Sequence, residues 1–210
     1  VIPLVDANLT PGAANKLLGQ VPSDLDSATI GMGLSIPDEE ALKLLVKSLA
    51  SQDVRMSLDA SALVQYILPH LPQKNIVLTP HAGEFKRMSG IMPPSTIQER
   101  TKLVEKFAKD HSVTILLKGS TDVISNGTQT FVNPKNLASM TVGGTGDVLS
   151  GIVAGLLARN RNPVESAAAA SYINGMAGKL AQRKNGLHIV ATDLIDNIPA
   201  AMKPFDRVIK

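Results

Sequence analysis

Short apolar runs alternate with longer amphipathic segments along the chain. Val54–Leu58, Asn75–Leu78 and Val113–Leu117 have the length of strands, and each is followed by a polar loop or a helical pattern. Val113–Leu117 is almost continuously apolar, which is typical of a strand buried on both faces. The alternation predicts a layered α/β fold with a mainly parallel central sheet.

Helical periodicity and turn residues predict the remaining elements. Ala28–Ile30 has the character of the end of a further strand, and Asn126-Gly127 predicts a type I′ turn between the hairpin strands Val123–Ser125 and Thr128–Val132. Helices are expected over Ala13–Leu18, Pro37–Ala50, Ser61–Leu68, Thr96–His111, Val164–Gln182 and Thr192–Met202, with Thr192 as the cap of the last one.

A glycine-rich turn leads into a further predicted helix that ends near Arg159. Gly143, Gly144 and Gly146 precede apolar residues spaced along one helix face, and Asp147 falls in the first helical turn. Such a turn presents unpaired backbone N–H groups and the positive end of the helix dipole, which together bind an anion such as phosphate. The alternative is an ordinary turn in which Asp147 only complements the dipole.

Two more glycines, Gly151 and Gly155, interrupt this helix one turn apart. Each weakens a helix by roughly 1 kcal/mol relative to alanine, which suggests that another element packs very close to them. We expect that element to be the small face of the alanine-rich helix Val164–Gln182, which carries Ala167, Ala168, Ser171, Gly175 and Gly178.

Polar side chains follow the predicted strands directly. Because parallel strands present their carboxyl ends at one edge of a sheet, we expect Asp59, His81 and Lys118 to lie on the same side. A lysine at a strand end, beside glycine and hydroxyl groups, is well placed to contact phosphates. His81 and Glu84 have an alternative role as a solvated turn and a helix cap. The Gly31-Met32-Gly33 segment is equally consistent with a ligand loop and with a tight turn.

Composition narrows the functional classes. Of 210 residues, 44% are hydrophobic and 19% charged, which is typical of a globular protein, and the longest apolar runs are too short for a membrane span. The absence of cysteine excludes disulfides, thiol nucleophiles and cysteine-ligated metals. A net charge of only +3, 3% aromatic residues and no tryptophan argue against nucleic-acid binding. We expect a cytoplasmic protein without a membrane partner.

Three ordered motifs carry a resemblance to a known family. They are Thr79-Pro80-His81-x-Gly83-Glu84, then Lys118-Gly119, then Gly143-Gly144-Thr145-Gly146-Asp147, which continues into Val-Leu-Ser-Gly-Ile. From about Ile30 to Pro199 the chain resembles the ribokinase-like superfamily and, within it, the ADP- or ATP-dependent NAD(P)H-hydrate dehydratases. The resemblance implies one ribokinase-like three-layer domain over residues 1–210.

The same resemblance implies a Mg²⁺-assisted repair reaction. ADP or ATP phosphorylates the hydroxyl of hydrated NADH or NADPH, and loss of phosphate restores the dihydronicotinamide. The implied partners are the hydrated dinucleotide and an adenine nucleotide, and we expect a homo-oligomer.

The resemblance also implies roles for particular residues. Asp147 activates the substrate hydroxyl, Gly143–Gly146 surround the transferring phosphate with Gly144 and Gly146 as catalytic members, and Glu84 acts on the metal through water. The nucleotide site comprises Lys118, Gly119, Ser120, Thr121, Asp122 and Gly146, and the substrate contacts are Gly33, His81 and Asp147.

Several positions depart from the family pattern. Met32 replaces a usual proline, Ser35 a frequent glycine, Ser61 an aspartate and Asn174 a frequent histidine. A ribokinase-like kinase for a small alcohol, such as a thiazole alcohol, is the alternative function, and a nucleotide-binding regulatory module is a third. The motif Thr79 to Glu84 followed by Phe85 fits the dehydratases better than the thiazole kinases.

The family's N-terminal strand, glycine-rich turn and alanine-rich helix are not recognisable before Ala28. The strands that remain are few for burying both faces of Val113–Leu117, and an open sheet edge favours aggregation. We therefore expect the native protein to contain additional N-terminal residues or to have a partner subunit that covers the gap. Intact mass and sedimentation of the native protein test this expectation. It is contradicted by a fully active monomer with the mass of these 210 residues alone.

Overall fold

The computed structural model describes residues 7–73, 75–135, 137–160 and 162–206, and its backbone is built on a six-stranded sheet. The strands β1 to β4 pair in parallel and in chain order. The last two strands form an antiparallel hairpin beside β4. The predicted mainly parallel sheet is therefore confirmed. The strands are β1 (Ser27–Ile30), β2 (Arg55–Leu58), β3 (Ile76–Leu78), β4 (Thr114–Leu117), β5 (Thr121–Ser125) and β6 (Thr130–Pro134).

Helices cover both faces of this sheet and form the predicted three layers. The first four helices pack on one face and the last three lie on the other. None of the helices in the described ranges is long and apolar enough to cross a membrane. The α-helices are α1 (Pro11–Leu18), α2 (Glu39–Ser51), α3 (Ala82–Ser89), α4 (Ile97–His111), α5 (Thr145–Arg159), α6 (Pro163–Asn185) and α7 (Ala191–Met202), and short 3₁₀ helices span Ala60–Ala62, Gln65–His70, Ala138–Met140 and Lys203–Phe205.

The central strand β4 is buried on both faces, as its apolar run predicts. Ile115 and Leu117 join the core beneath α1 to α4, whereas Leu116 faces α5 and α6. All three side chains are fully buried. Because successive strand residues point to opposite faces, a mainly apolar run is expected wherever both faces are covered, and Thr114, the one polar residue of β4, is buried as well.

Polar contacts fix α5 above β1 and β2. The buried Ser150 hydroxyl lies 2.7 Å from Thr29 Oγ1 and 2.9 Å from Ser57 Oγ. At the other end, the guanidinium of Arg55 donates to the carbonyl oxygens of Leu157 and Ala158, where a cation complements the helix dipole. These contacts hold the N-terminus of α5 at the carboxyl edge of the parallel strands.

The predicted hairpin is present, but its turn is not type I′. A type I′ turn needs positive φ at both central residues, and here only Gly127 has it, at 86°. The connection is four residues long, since Ser125 pairs with Thr130. Asn126 Oδ1 accepts from the backbone N–H groups of Thr128 and Gln129, and this side-chain turn replaces the tighter backbone one.

Two predicted helix details are also wrong. Ser61–Leu68 is not an α-helix but falls across two 3₁₀ segments, because Leu63 and Val64 adopt non-helical backbone angles between them. Thr192 does not cap α7. The helix begins one residue earlier, and the Asp193 carboxylate accepts a hydrogen bond from the N–H of Val190.

The expected packing of α6 against Gly151 and Gly155 is also wrong. Among the described residues, no heavy atom outside α5 lies within 4 Å of the position that a Cβ would take on either glycine. Both glycines line an open apolar groove of about 710 Å³ between α5 and α7. The helices α5 and α6 instead meet through larger side chains, such as Leu149 and Val153, on the sheet-facing side. The glycines of α6 contact Lys135 and Met140.

Replacing Ser150 by alanine should destabilise the fold. The Ser57 hydroxyl is fully buried and would lose its partner, and leaving such a group unsatisfied costs about 1–3 kcal/mol. Urea denaturation of the parent and Ser150→Ala measures this loss in the free energy of unfolding. Ser51→Ala is the control, because Ser51 is exposed and bonds only within its own helix. Equal losses in the two variants would contradict the role assigned to Ser150.

Candidate active site

A cavity of about 740 Å³ lies at the carboxyl edge of the parallel strands. Asp59 follows β2, His81 and Glu84 follow β3, and Lys118 follows β4, and all four line the cavity. The prediction that Asp59, His81 and Lys118 share one side of the sheet is confirmed. The glycine-rich loop before α5 lines the same cavity, so the three sequence motifs meet in one place.

The centre of the cavity holds an ion cluster. Lys118 Nζ lies 2.8 Å from Asp59 Oδ1 and 3.5 Å from Glu84 Oε2. Asp59 is 1% exposed, and this burial raises the pKa of its carboxyl, while the charge and hydrogen bond of Lys118 act in the opposite direction. The cluster therefore places one cation against two carboxylates.

His81 and Glu84 form the capping box of α3. His81 Nδ1 accepts from the N–H groups of Gly83 and Glu84, and Glu84 Oε2 accepts from the N–H of His81 at 2.8 Å. An imidazole that accepts through Nδ1 is the neutral tautomer with its proton on Nε2. That Nε2 lies 3.3 Å from Glu84 Oε1. The helix-cap interpretation therefore holds for the structure, and the same two residues also face the cavity.

The glycine-rich loop leaves the N-terminus of α5 open. Gly144 is its N-cap with φ of 88°, a conformation that favours glycine, and it supplies no side-chain cap. The first-turn N–H groups are thus available to an anion. Thr145 Oγ1 donates to the carbonyl oxygens of Met140 at 2.9 Å and Val142 at 3.0 Å, which fixes the loop. Asp147 lies in the first turn, as predicted, with an exposed carboxylate.

Lys118 lies directly against this loop. A Cβ on Gly146 would come within 3.2 Å of Lys118 Nζ. The ammonium therefore reaches the space where the loop would hold an anion, and the glycine keeps that space clear.

Only part of the predicted nucleotide segment reaches the cavity. Lys118, Gly119 and Ser120 line it, whereas Thr121 begins β5 and is not a lining residue. Asp122 is fully buried and also outside the lining. Its carboxylate accepts from the N–H of Gly119 at 3.0 Å, so it shapes the loop from behind.

Two contacts complete the surroundings of Asp122. Lys135 Nζ and Ser171 Oγ each lie 2.6 Å from Asp122 Oδ2. Lys135 is itself a lining residue, but its charge is paired within the protein.

Gly33 lies outside the cavity lining. It is exposed in the turn after β1, with φ of 66°, and its contact with a substrate stays a prediction. Gly31 serves the turn itself, since a Cβ there would overlap the carbonyl oxygen of Asp59. The turn after β1 therefore packs against the segment that carries Asp59.

Among the charged and amide-bearing residues of the cavity, sequence reasoning assigned no catalytic or binding role to Asp59, Lys135 and Asn174. Asp59 was expected at the sheet edge, and its position just after a buried strand was the available signal. Lys135 and Asn174 had no comparable signal, because only the path of β6 and α6 brings them to the site.

Replacing Lys118 by methionine should destabilise the protein in a pH-dependent way. Breaking a buried ion pair leaves an uncompensated charge and costs about 3 kcal/mol. Without the lysine, the pKa of Asp59 rises further above its ordinary value of 3.8. A carboxyl group whose pKa is raised in the folded state contributes stability below its ordinary pKa. That contribution is lost as the pH rises through the pKa of the folded state. The stability gap between variant and parent should therefore be large at pH 7 and shrink towards pH 4.

Thermal unfolding across this pH range measures the gap. Lys106→Met is the matched control, because Lys106 pairs with Asp110 on the exposed surface of α4, where an ion pair contributes little. A Lys118→Met gap that does not change with pH would contradict the electrostatic role of the cluster.

Comparison with known proteins identifies the family of the chain. A family model described as NAD(P)H-hydrate dehydratase matches residues 5–200. An ADP-dependent (S)-NAD(P)H-hydrate dehydratase of Nitrosopumilus maritimus is 62% identical over 208 residues, which are 99% of this chain and 72% of that protein.

Solved structures share the fold. The ADP/ATP-dependent NAD(P)H-hydrate dehydratase of Bacillus subtilis, co-crystallised with ATP and Mg²⁺, superimposes with a TM-score of 0.75 at 29% identity, over 88% of this chain and 68% of that one. A ribokinase-like superfamily protein of Enterococcus faecalis gives a TM-score of 0.72 at 26% identity, over 93% and 68%. The expected ribokinase-like fold is confirmed, and the chain belongs to the NAD(P)H-hydrate dehydratase family.

Proposed function

We propose that this protein catalyses the nucleotide-dependent dehydration of hydrated NADH or NADPH. The observation that carries the proposal is the junction of three groups in one cavity: an uncapped helix N-terminus, the Lys118 ammonium against it, and the Asp147 carboxylate in its first turn. An anion site with an adjacent cation and a base is what phosphoryl transfer to a hydroxyl requires. The family membership gives the class of substrate.

The reaction has two steps, phosphoryl transfer to the hydrate and elimination of phosphate from it. The hydroxyl oxygen of the hydrate attacks the terminal phosphorus of the nucleotide, and its proton goes to the Asp147 carboxylate. The bond from that phosphorus to the bridging oxygen breaks, and the nucleotide leaves one phosphate shorter. The carbon–oxygen bond of the phosphorylated hydrate then breaks with its electron pair on phosphate. A neighbouring carbon loses a proton to water, and the electron pair of that carbon–hydrogen bond forms the ring double bond.

The protein contributes position and charge to the transfer. The N–H groups of Gly144 and Gly146 face the oxygens of the transferring group, where charge accumulates. Lys118 adds a full positive charge at the same place. His81, neutral and with Nε2–H near the cavity, supplies a hydrogen-bond donor to the hydrated dinucleotide. Gly33 contributes backbone to the same substrate from the turn after β1.

We also propose a Mg²⁺ ion at Asp59 and Glu84. No group of three or more histidine and carboxylate side chains suited to a metal occurs in the described part of the chain. Two carboxylates are sufficient for Mg²⁺, which binds through one or two of them together with substrate phosphates and water. The oxygen donors of Asp59 and Glu84 therefore fit the ion, with Glu84 acting through water. When bound, Mg²⁺ neutralises phosphate charge.

The Asp147→Asn variant tests the proposal. Its amide cannot accept the hydroxyl proton, so turnover should fall by about 10²–10⁴-fold, the usual contribution of a placed base. Nucleotide affinity should remain nearly unchanged, because the loop N–H groups and Lys118 are intact. The assay follows the return of reduced-nicotinamide absorbance from hydrated NADH with Mg²⁺ and either ADP or ATP.

Asp24→Asn is the control, since Asp24 is an exposed carboxylate in the loop before β1. Turnover of Asp147→Asn within about tenfold of the parent would refute the base role. Phosphorylation of a thiazole alcohol without dehydration of the hydrate would favour the kinase instead. Nucleotide binding without consumption of either substrate would favour a regulatory module.

A further inference from the structure

We propose that the side-chain amide of Asn174 recognises the adenine base of the nucleotide and sets the preference for adenine over other purines. The inference rests on the proposed function, because it assumes that the cavity binds a nucleotide. It adds a specificity-determining residue on the β6 side of the cavity.

Asn174 is buried in the wall of the cavity. Its side chain lines the cavity, yet the residue is only 2% exposed. Its Oδ1 atom is buried without a hydrogen-bond partner among the described residues. A buried amide oxygen left unpaired is costly. An amide that lines a cavity and lacks a protein partner is suited to a partner from a ligand.

The position of Asn174 separates it from the phosphate site. Asp59 follows β2, whereas Gly175, the neighbour of Asn174, packs against the side chain of Lys135 just after β6. Since the strands lie in chain order at a spacing of about 4.8 Å, the ends of β2 and β6 are roughly 19 Å apart. The anion loop and Lys118 lie towards the Asp59 side, because a Cβ on Gly146 would be 3.2 Å from Lys118 Nζ and 4.0 Å from Asp59 Oδ2. A nucleotide with its phosphates on the loop therefore has its base near Asn174.

The surroundings of Asn174 favour a base over a phosphate. The 3₁₀ segment Ala138–Met140 and the preceding Leu137 contribute apolar residues to the cavity lining. The nearby cation Lys135 is paired with Asp122 at 2.6 Å and is not available to a phosphate. An apolar wall with one unpaired amide suits a flat heterocycle that has a polar edge.

Hydrogen-bond chemistry identifies the base. An asparagine amide accepts from the exocyclic amine of adenine and donates to its neighbouring ring nitrogen. Guanine and hypoxanthine carry a carbonyl oxygen where adenine has that amine, so the amide oxygen would face another acceptor. A site built to hydrogen-bond one group rejects the analogue that lacks it, because its own polar atom is then left unpaired.

The experiment measures direct binding of ADP, IDP and GDP to the parent and to Asn174→Leu. Leucine keeps a similar shape and removes the unpaired amide, so the fold should be retained. The parent should bind ADP more tightly than IDP and GDP. The variant should bind ADP about tenfold more weakly, the effect expected for a lost amide–base pair. Its affinity for IDP and GDP should change little, so the preference for ADP is lost.

Asn197→Leu on α7 is the control, because the Asn197 amide donates to a carbonyl of its own helix and the residue lines neither large cavity. If Asn174 has only a structural role, the Asn174→Leu variant should have a lower melting temperature and bind all three nucleotides more weakly by the same factor. This result overturns the proposal. An unchanged preference for ADP in Asn174→Leu also overturns it and leaves the proposed function standing. Failure of the parent to bind any of the three contradicts both proposals.

Discussion

The Lys118 ammonium lies between two carboxylates that come from different strand ends. Asp59 arrives from β2 and Glu84 from the start of α3, just after β3, and the lysine itself follows β4. Three parallel strands are thus tied together at their carboxyl edge by one largely buried cation, whose side chain is 15% exposed. Because a buried charge is tolerated only when it is paired, none of the three side chains can leave this arrangement without exposing the others to a large penalty. The geometry of the cavity depends on this constraint.

The ion cluster and the glycine-rich loop act as one unit. The lysine that neutralises Asp59 also lies beside Gly146, so the same ammonium is in reach of an anion held by the first turn of α5. The helix is in turn held to β1 and β2 by the hydroxyl of Ser150. In the proposed reaction, the position of the phosphate would therefore be set by contacts of α5 with the sheet. Preorganised charge of this kind does not need to reorganise when charge develops on the transferring group.

Local sequence signals were sufficient to predict the polar residues that follow β2, β3 and β4 and the glycine-rich loop before α5. Strand periodicity ends at Leu58, Leu78 and Leu117, and parallel pairing then brings the following polar residues to one edge. The turn into α5 was also predicted locally, because Gly143, Gly144 and Gly146 directly precede a helical pattern of apolar residues. These parts depend on neighbours in the chain, and sequence patterns describe such neighbours well.

The errors and omissions arise where distant segments decide the structure. Gly151 and Gly155 suggested a close helix contact, but α5 and α6 pack on the sheet in a way that leaves both glycines lining an open groove. Asn126-Gly127 suggested a tight turn, but the Asn126 side chain found its own backbone partners. Asn174 was visible only as a departure from a family pattern, since nothing near it in the chain shows that α6 passes the end of β6.

The two cavities meet at the start of α5, where Gly144 and Asp147 line both. One side of Asp147 is polar and carries the ion cluster and the anion loop, and the other is the apolar groove that leads along Gly151 and Gly155. An exposed carboxylate at this junction is screened by water until a substrate covers it. In the proposed reaction, the electrostatic interaction of this carboxylate with the bound substrates would strengthen as they exclude solvent, because such interactions strengthen as the local dielectric falls. Phosphoryl transfer in such a site is favoured once nucleotide and acceptor are both bound, which also limits loss of the phosphate to water.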